Sequence, residues 1–288
     1  MCTGSLGDVA LSLRFIYALA KDNPEDSFVY MLKSNITDLL LDAPDNLEAF
    51  NVDFNEGDRS IFALFSLATR LCREHFCGLL DIAPSRRSSF LRRFVACCSR
   101  CKTAKVKLSL SREQQKRQKM LGHLPFRLTT AFAKALDRAA KKIGLVINAT
   151  FPPIHVANET EHKSPFDIDL SSCDKIIGYA PFFRRETPSS EALAAFEANL
   201  SSLMEFFPRA GFVVFGSQVL MEKHLPHSPR FAFFSDSDFF YREMQAIAMC
   251  DQLLSIDSTF PPIAYALGVP VVLCDETTEF NEIIKQIS

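Results

Sequence analysis

Apolar positions along this chain follow two spacings, one suited to helices and one to buried strands. Val9, Leu13, Ile16 and Leu19-Ala20 share one face of a predicted helix over 8–21, which Asn23-Pro24 ends. The branched and aromatic run at 28–32 predicts a strand. A short helix at 37–41, a strongly apolar helix at 60–74 and a strand at 78–82 follow. Then come a basic amphipathic helix at 88–98, a strand at 106–110 and a helix at 128–142 closed by Gly144. Residues 145–174 are interrupted by Pro152-Pro153, Pro165 and many polar side chains, which marks an interdomain stretch. Beyond it, strands at 175–180, 211–215, 230–234, 252–256 and 270–274 are predicted. They alternate with helices at 189–206, 238–249 and from 261, and with a helical turn near 219–224.

That alternation predicts α/β architecture, with two Rossmann-like, doubly wound parallel sheets. The domains fall at 1–150 and 175–288, with 151–174 between them. The loop at 3–8 should follow a strand, yet two residues precede it, and the other end stops soon after the last predicted strand. The expectation is a chain shortened at both ends, as a fragment, a misassigned start or a decayed copy.

Length and composition are consistent with this picture. A chain of 288 residues, 48% apolar and 23% charged, is ordinary for a globular protein of about two domains. No apolar run approaches the ~20 residues of a membrane span, and no secretory signal is recognisable. Nine cysteines without regular spacing predict reduced thiols and a cytoplasmic setting. The 27 Phe residues, against 5 Tyr and no Trp, are a statement about packing.

The net charge of −2 conceals one uneven region. Residues 86–119 hold 12 Lys or Arg and one acid, Glu113. Such a stretch is either a solvated helical face or a patch for phosphates or anionic lipid headgroups. No nucleic-acid-binding signature accompanies it, which argues against nucleic acid as a partner.

Candidate chemistry concentrates near the C-terminus. Asp257-Ser258-Thr259-Phe260-Pro261-Pro262 follows an apolar strand and precedes Ala264, Ala266-Leu267-Gly268 and Pro270. An Asp-Ser pair at a strand's C-terminal end can cap the next helix, and ligands bind at that edge of open parallel sheets. This segment resembles the Asp-Ser/Thr-Gly-Pro-x-His and Ala-Ala-x-Leu-Gly-x-Pro segments of lipopolysaccharide heptosyltransferases, glycosyltransferase family nine. Thr259 stands where that family has Gly, and Pro262 where it has His. At the other end, Gly7-Asp8-Val9, Leu11, Leu13 and Ala18-Leu19 are similar to the family's opening loop and first helix. The segments 78–82, 178–181, 211–216 and 244–250 fall in the family's order.

The resemblance implies a GT-B fold, in which two such domains face a cleft. It also implies inverting transfer of heptose from an ADP-sugar to an anionic lipopolysaccharide inner-core acceptor, with no cofactor or metal and with peripheral contact at the inner membrane. Asp8 would be the base that takes the acceptor proton; its other reading is a cap on the helix it opens. Gly4, Ser5 and Gly7 would let backbone N–H groups approach the donor diphosphate. Asp257, Ser258 and Thr259 would form a matching site in the second domain. Pro261 and Pro262 remove donors there, and Thr259 adds bulk. Arg184 and Arg185 would meet phosphate, or serve in surface ion pairs. Glu222 would meet the donor ribose, or stand as a solvated charge.

Cys98-Ser99-Arg100-Cys101, with Cys72 and Cys77 as partners, offers an imperfect zinc spacing against the plain reading of reduced thiols. A second reading of the whole chain competes with catalysis. The altered motif would belong to a degenerate GT-B protein kept as a binding or structural module.

Overall fold

The computed structural model describes residues 1–2, 5–33, 40, 43–52, 61–121, 126–148, 151–154, 170, 172–182, 188–216, 228, 230–234, 240–256, 258–274 and 287. The chain divides into two compact units, Met1–Ile154 and His155–Ser288.

In the first unit, helix α1 (Leu6–Asp22) is followed by strands β1 (Phe28–Lys33) and β2 (Leu47–Val52), and then by helix α2 (Ile61–Arg73). Strand β3 (Gly78–Asp81), helix α3 (Arg86–Ser99), strand β4 (Lys102–Lys105) and helices α4 (Arg112–Leu121) and α5 (Thr129–Ile143) complete it. Strands β1 and β2 pair in parallel, as do β3 and β4. Met1 and Cys2 lie between the two pairs. The Met1 amine donates to Leu80 O at 2.9 Å, Ile82 N donates to Met1 O at 3.0 Å, and Cys2 N donates to Met31 O at 3.0 Å. Two residues thus occupy the place of the central strand expected before the loop at 3–8.

Helix α1 is buried on most of its surface, which suits a helix enclosed on several sides. Tyr30 reaches it from β1, sharing a 2.6 Å hydrogen bond with Ser12 that satisfies both buried hydroxyls. Phe15 meets Phe132 of α5 at 5.5 Å and Phe151 edge-on at 4.4 Å. Residues expected in the interdomain stretch also lie against α1. Asn148 N donates to Asp22 Oδ2 at 2.7 Å, and the Arg14 guanidinium donates to the carbonyls of Phe151 and Pro152.

The second unit holds β5 (Lys175–Ala180), α6 (Ser190–Phe206), β6 (Ala210–Phe215), β7 (Phe231–Phe234), α7 (Phe240–Ala248), β8 (Gln252–Ser255), α8 (Phe260–Leu267) and β9 (Val271–Leu273). Its sheet is parallel throughout, in the order β7-β6-β5-β8-β9. The order reverses beside β5, the first strand, as in a doubly wound sheet. Strands β6 and β8 are buried at every position, which explains why they read as continuous apolar runs.

Three sequence expectations change. The strand predicted at 106–110 lies at Lys102–Lys105, while β2 and α4 are additional elements. The basic helix begins two residues early, because Ser85 caps it. Ser85 and Ser88 form a reciprocal capping box, with Ser88 N donating to Ser85 Oγ at 3.0 Å. The predicted turn at 219–224 lies outside the described residues, as does nearly all of the helix at 37–41.

Candidate functional site

The C-terminal edge of the first unit's strands carries a hollow of about 390 Å³. Asp8 enters it from the first turn of α1, Ile82 and Ser85 from the turn after β3, and Lys105 and Lys107 from the end of β4 and just beyond. Phe132 of α5 is part of the wall. Val106 N makes a last bond to Asp81 O at 2.8 Å, and the chain then leaves the sheet to wall this hollow. That departure is why 106–110 does not extend the strand.

Asp8 is held by a capping box. Ser5 N donates to Asp8 Oδ2 at 3.1 Å, the Ser5 hydroxyl donates to the same oxygen at 3.1 Å, and Asp8 N donates to Ser5 Oγ at 3.4 Å. The two sequence readings of Asp8 are therefore compatible: it caps α1 and also borders the hollow. A carboxylate at a helix N-terminus is favoured by the helix dipole. Here it shares a hollow with two lysines, so the site combines a proton acceptor with positive charge.

Behind the hollow lies a second polar group. Asp81, at the end of β3, is fully buried and accepts from the Ser88 hydroxyl at 3.0 Å. Ser85 N donates to Ser88 Oγ at 2.7 Å. A continuous chain of hydrogen bonds thus runs from Asp81 through Ser88 to Ser85 on the wall of the hollow. Burial pushes the Asp81 carboxyl above its usual range and pushes the Met1 ammonium below its own.

In the second unit, Ser258 and Thr259 lie between β8 and α8. Ser258 is buried, lies 3.3 Å from Ser255 Oγ and accepts from Phe260 N at 3.4 Å. Thr259 is the N-cap of α8 but makes no side-chain cap bond. Its φ of −73° and ψ of −20° are ordinary right-handed values that a non-glycine residue adopts without strain. Pro261 and Pro262 fill the first turn and are buried. Proline is tolerated there because those N–H groups have no partner within the helix, but it removes them as anion donors.

Ser5, Gly7 and Asp8 thus cluster at the start of α1, and Ser258 and Thr259 at the start of α8. Gly4, Arg184, Arg185, Glu222 and Asp257 lie outside the described residues. Ser85 and Lys107 were not singled out from sequence, and Lys105 only as one cation of the basic stretch that could meet anionic lipid. The Ser-x-x-Ser spacing after Pro84 was a capping signal for the first, whereas the lysines were legible only as members of a basic run. Burial pushes the Cys72 thiol above its ordinary range, and the neighbouring Cys98 adds to that shift. Among the described residues, no three His, Cys, Asp or Glu side chains are grouped so as to hold a metal ion.

No protein-family model matches the chain, and no curated protein sequence matches it significantly. Solved structures do. A family 9 glycosyl transferase from Veillonella parvula is 17% identical, with a TM-score of 0.64 over 94% of this chain and 78% of that one. The E. coli heptosyltransferase WaaC with ADP-2-deoxy-2-fluoro heptose is 12% identical, with a TM-score of 0.62 over 97% and 90%. The chain has the heptosyltransferase-like GT-B fold. A UDP-N-acetylglucosamine 2-epimerase shares that fold at 16% identity, with a TM-score of 0.54 over 99% of this chain and 80% of that one. The common architecture therefore leaves the choice of reaction to the residues of the site. Among the described residues, no helix is long and apolar enough to cross a membrane.

Proposed function

We propose that this protein is a glycosyltransferase that moves a heptose from an ADP-sugar to a lipopolysaccharide inner-core acceptor. One observation carries the reading: the Asp8 carboxylate, fixed by Ser5 at the start of α1, borders a hollow that also holds Lys105 and Lys107. Asp8 takes the proton of the acceptor hydroxyl as that oxygen attacks the anomeric carbon. The carbon–oxygen bond to the diphosphate breaks in the same displacement, inverting the centre and releasing ADP. A positioned base contributes roughly 10²–10⁴-fold to such a step. Lys105 and Lys107 suit an acceptor that carries carboxylate or phosphate.

The donor side is assigned by resemblance. Backbone groups at Gly4, Ser5 and Gly7 approach the diphosphate. In the second unit Asp257, Ser258 and Thr259 flank it, Arg184 and Arg185 supply positive charge, and Glu222 meets the ribose. The acceptor is a glycolipid, so the protein works at a membrane surface without spanning it. No metal or other cofactor takes part in this scheme.

The buried Pro261-Pro262 pair favours a second reading, in which the donor site is weakened and the fold is kept for binding. Thermal melts with ADP and with UDP, beside assays of ADP release from ADP-heptose with an inner-core acceptor, separate the readings. Stabilisation by ADP together with ADP release supports transfer. Stabilisation by UDP alone points to the epimerase branch of the fold, and no shift with either nucleotide leaves the binding module.

A further inference from the structure

Four free thiols gather at one end of the first unit. Cys72 stands in the last turn of α2 and Cys98 in the last turn of α3, each one residue from the end of its helix. Cys77 and Cys101 come just before β3 and β4, whose first residues, Gly78 and Lys102, are paired; Lys102 N donates to Cys77 O at 3.1 Å. This is the N-terminal edge of the strands, opposite the edge that carries the Asp8 hollow. Both helices end where these parallel strands begin, so they run in the same direction. They also touch: Phe65 of α2 meets Phe90 of α3 edge-on at 5.0 Å and Phe94 at 5.7 Å. Residues four or seven apart share a helix face. Cys72 continues the Phe65 face two turns on, and Cys98 continues the Phe90-Phe94 face one turn on. A contact that begins with aromatic rings thus ends in two thiols. The turns beyond them are fixed by left-handed backbone, at His75 with φ 51° and at Arg100, the C-cap of α3, with φ 53°. Residues with a Cβ keep such angles only where their surroundings hold them.

We propose that Cys72 and Cys98 form a redox site, which a low-molecular-weight disulfide such as glutathione disulfide oxidises to a bond stapling α2 to α3. Cys98 is exposed and Cys72 half-buried, so the small disulfide meets Cys98 first. The Cys98 thiolate attacks one sulfur of glutathione disulfide and forms a mixed disulfide. One glutathione leaves and takes up the proton that Cys98 gave up. Cys72 then attacks the Cys98 sulfur, and the second glutathione leaves with the Cys72 proton. One disulfide is broken and one is made, and the two electrons lost by the protein's sulfurs reduce the glutathione pair. Burial raises the Cys72 thiol, with Cys98 adding to the shift, which makes Cys72 the poorer first nucleophile and leaves it the resolving role. Cys77 and Cys101 do not make a rival pair: Cys77 is exposed, whereas Cys101 is buried and its thiol donates to Lys102 O at 3.4 Å. Cys97 is exposed too, but successive helix residues point about 100° apart, so it does not share the face of Cys98. The ratio of small thiol to small disulfide sets whether the staple is open or closed. Nothing in this chemistry needs the sugar or nucleotide of the transferase reading.

Equilibration of the full chain with excess glutathione disulfide, followed by maleimide alkylation in denaturant and peptide mapping, tests the site. Two of the nine thiols should be withheld from the maleimide, in a single peptide pair joined between Cys72 and Cys98, and dithiothreitol should restore both. The oxidised protein should melt at a higher Tm than the reduced one, because the link restricts the unfolded chain between the two helices. Cys97→Ser should keep the link and the rise in Tm. Cys72→Ser should instead retain glutathione on Cys98, since no thiol remains to displace it, and its Tm should not rise on oxidation. The wild-type map decides the matter even where a serine variant fails to fold. Nine thiols that all remain reactive, a link through Cys77, Cys97 or Cys101, or glutathione that stays on Cys98 in the wild type would each overturn the proposal. An oxidised protein that melts no higher than the reduced one would overturn it as well.

Discussion

The Nε of Arg92 lies 3.8 Å from Oδ2 of Asp81, an ion pair too long to be a hydrogen bond, inside the first unit. Read from sequence, Arg92 belonged to a basic stretch on a solvated or partner-facing surface. In the fold its side chain is 15% exposed, and Asp81 is fully buried. Among the described residues, neither Arg92 Nε nor Asp81 Oδ1 makes a hydrogen bond. Such a pair is held by what surrounds it, and removing one partner leaves the other charge buried.

Asp81 therefore predicts a pH dependence of stability. Burial raises its folded pKa, overcoming the opposing pull of Ser88, the Met1 ammonium, Arg92 and Lys105. A carboxyl whose pKa is higher folded than unfolded favours the native state below its ordinary value of 3.8. That contribution fades as pH rises through the raised folded value. Tm measured against pH for wild type and Asp81→Asn should diverge over this interval, with wild type losing ground as pH rises. Parallel curves would contradict the raised pKa.

Asp8→Asn and Asp8→Ala separate base from cap. Asn keeps an oxygen that accepts from Ser5 N, whereas Ala keeps none. Both variants should lose roughly 10²–10⁴-fold in transfer. Only Asp8→Ala should also lose about 1 kcal/mol of stability, the usual worth of a helix cap. Steady-state rates beside thermal melts provide the test, and an Asn variant within a few-fold of wild-type activity would reduce Asp8 to a cap.

Gly178 lies in β5, the middle strand of the second sheet. A methyl group there would stand 2.9 Å from Leu253 Cδ1, 3.0 Å from Cys250 Sγ and 3.2 Å from Phe215 Cε2. Gly178→Ala should therefore cost about 1–3 kcal/mol through overpacking. Gly78→Ala is the control, since its methyl meets Ile143 no closer than 3.4 Å, an ordinary contact. Urea midpoints should fall clearly for the first variant and little for the second.

Thr259→Gly should not improve nucleotide binding. Thr259 already adopts right-handed helical angles, so glycine relieves no strain at that turn. It widens the unfolded ensemble instead, at roughly 0.4–1 kcal/mol. A larger ADP-induced shift in this variant would show that side-chain bulk, and not the turn, limits the site.

The amino-acid sequence by itself determined what depends on near neighbours. The apolar strands β5, β6 and β8 were legible because strands buried on both faces need unbroken apolar runs. Helices α1 and α5 were legible from their spacing and from the signals that end them, Asn23-Pro24 and Gly144. The grouping of Ser5, Gly7 and Asp8 was equally plain, since a capping box spans only four residues. Strand β2 escaped because only its two ends are buried, so it has no clean alternation. Helix α4 escaped because its polar sequence shows no apolar stripe. Only the tertiary structure decided where β4 stops, because its ladder is set by pairing Gly78 with Lys102 and Asp81 with Lys105. Only it brought Ser85, Lys105 and Lys107 around Asp8, residues some 80 to 100 positions away along the chain. The same holds for Arg92 and Arg93, adjacent in sequence. Successive residues on a helix point about 100° apart, and packing against β3 turned one toward Asp81 and left the other in solvent.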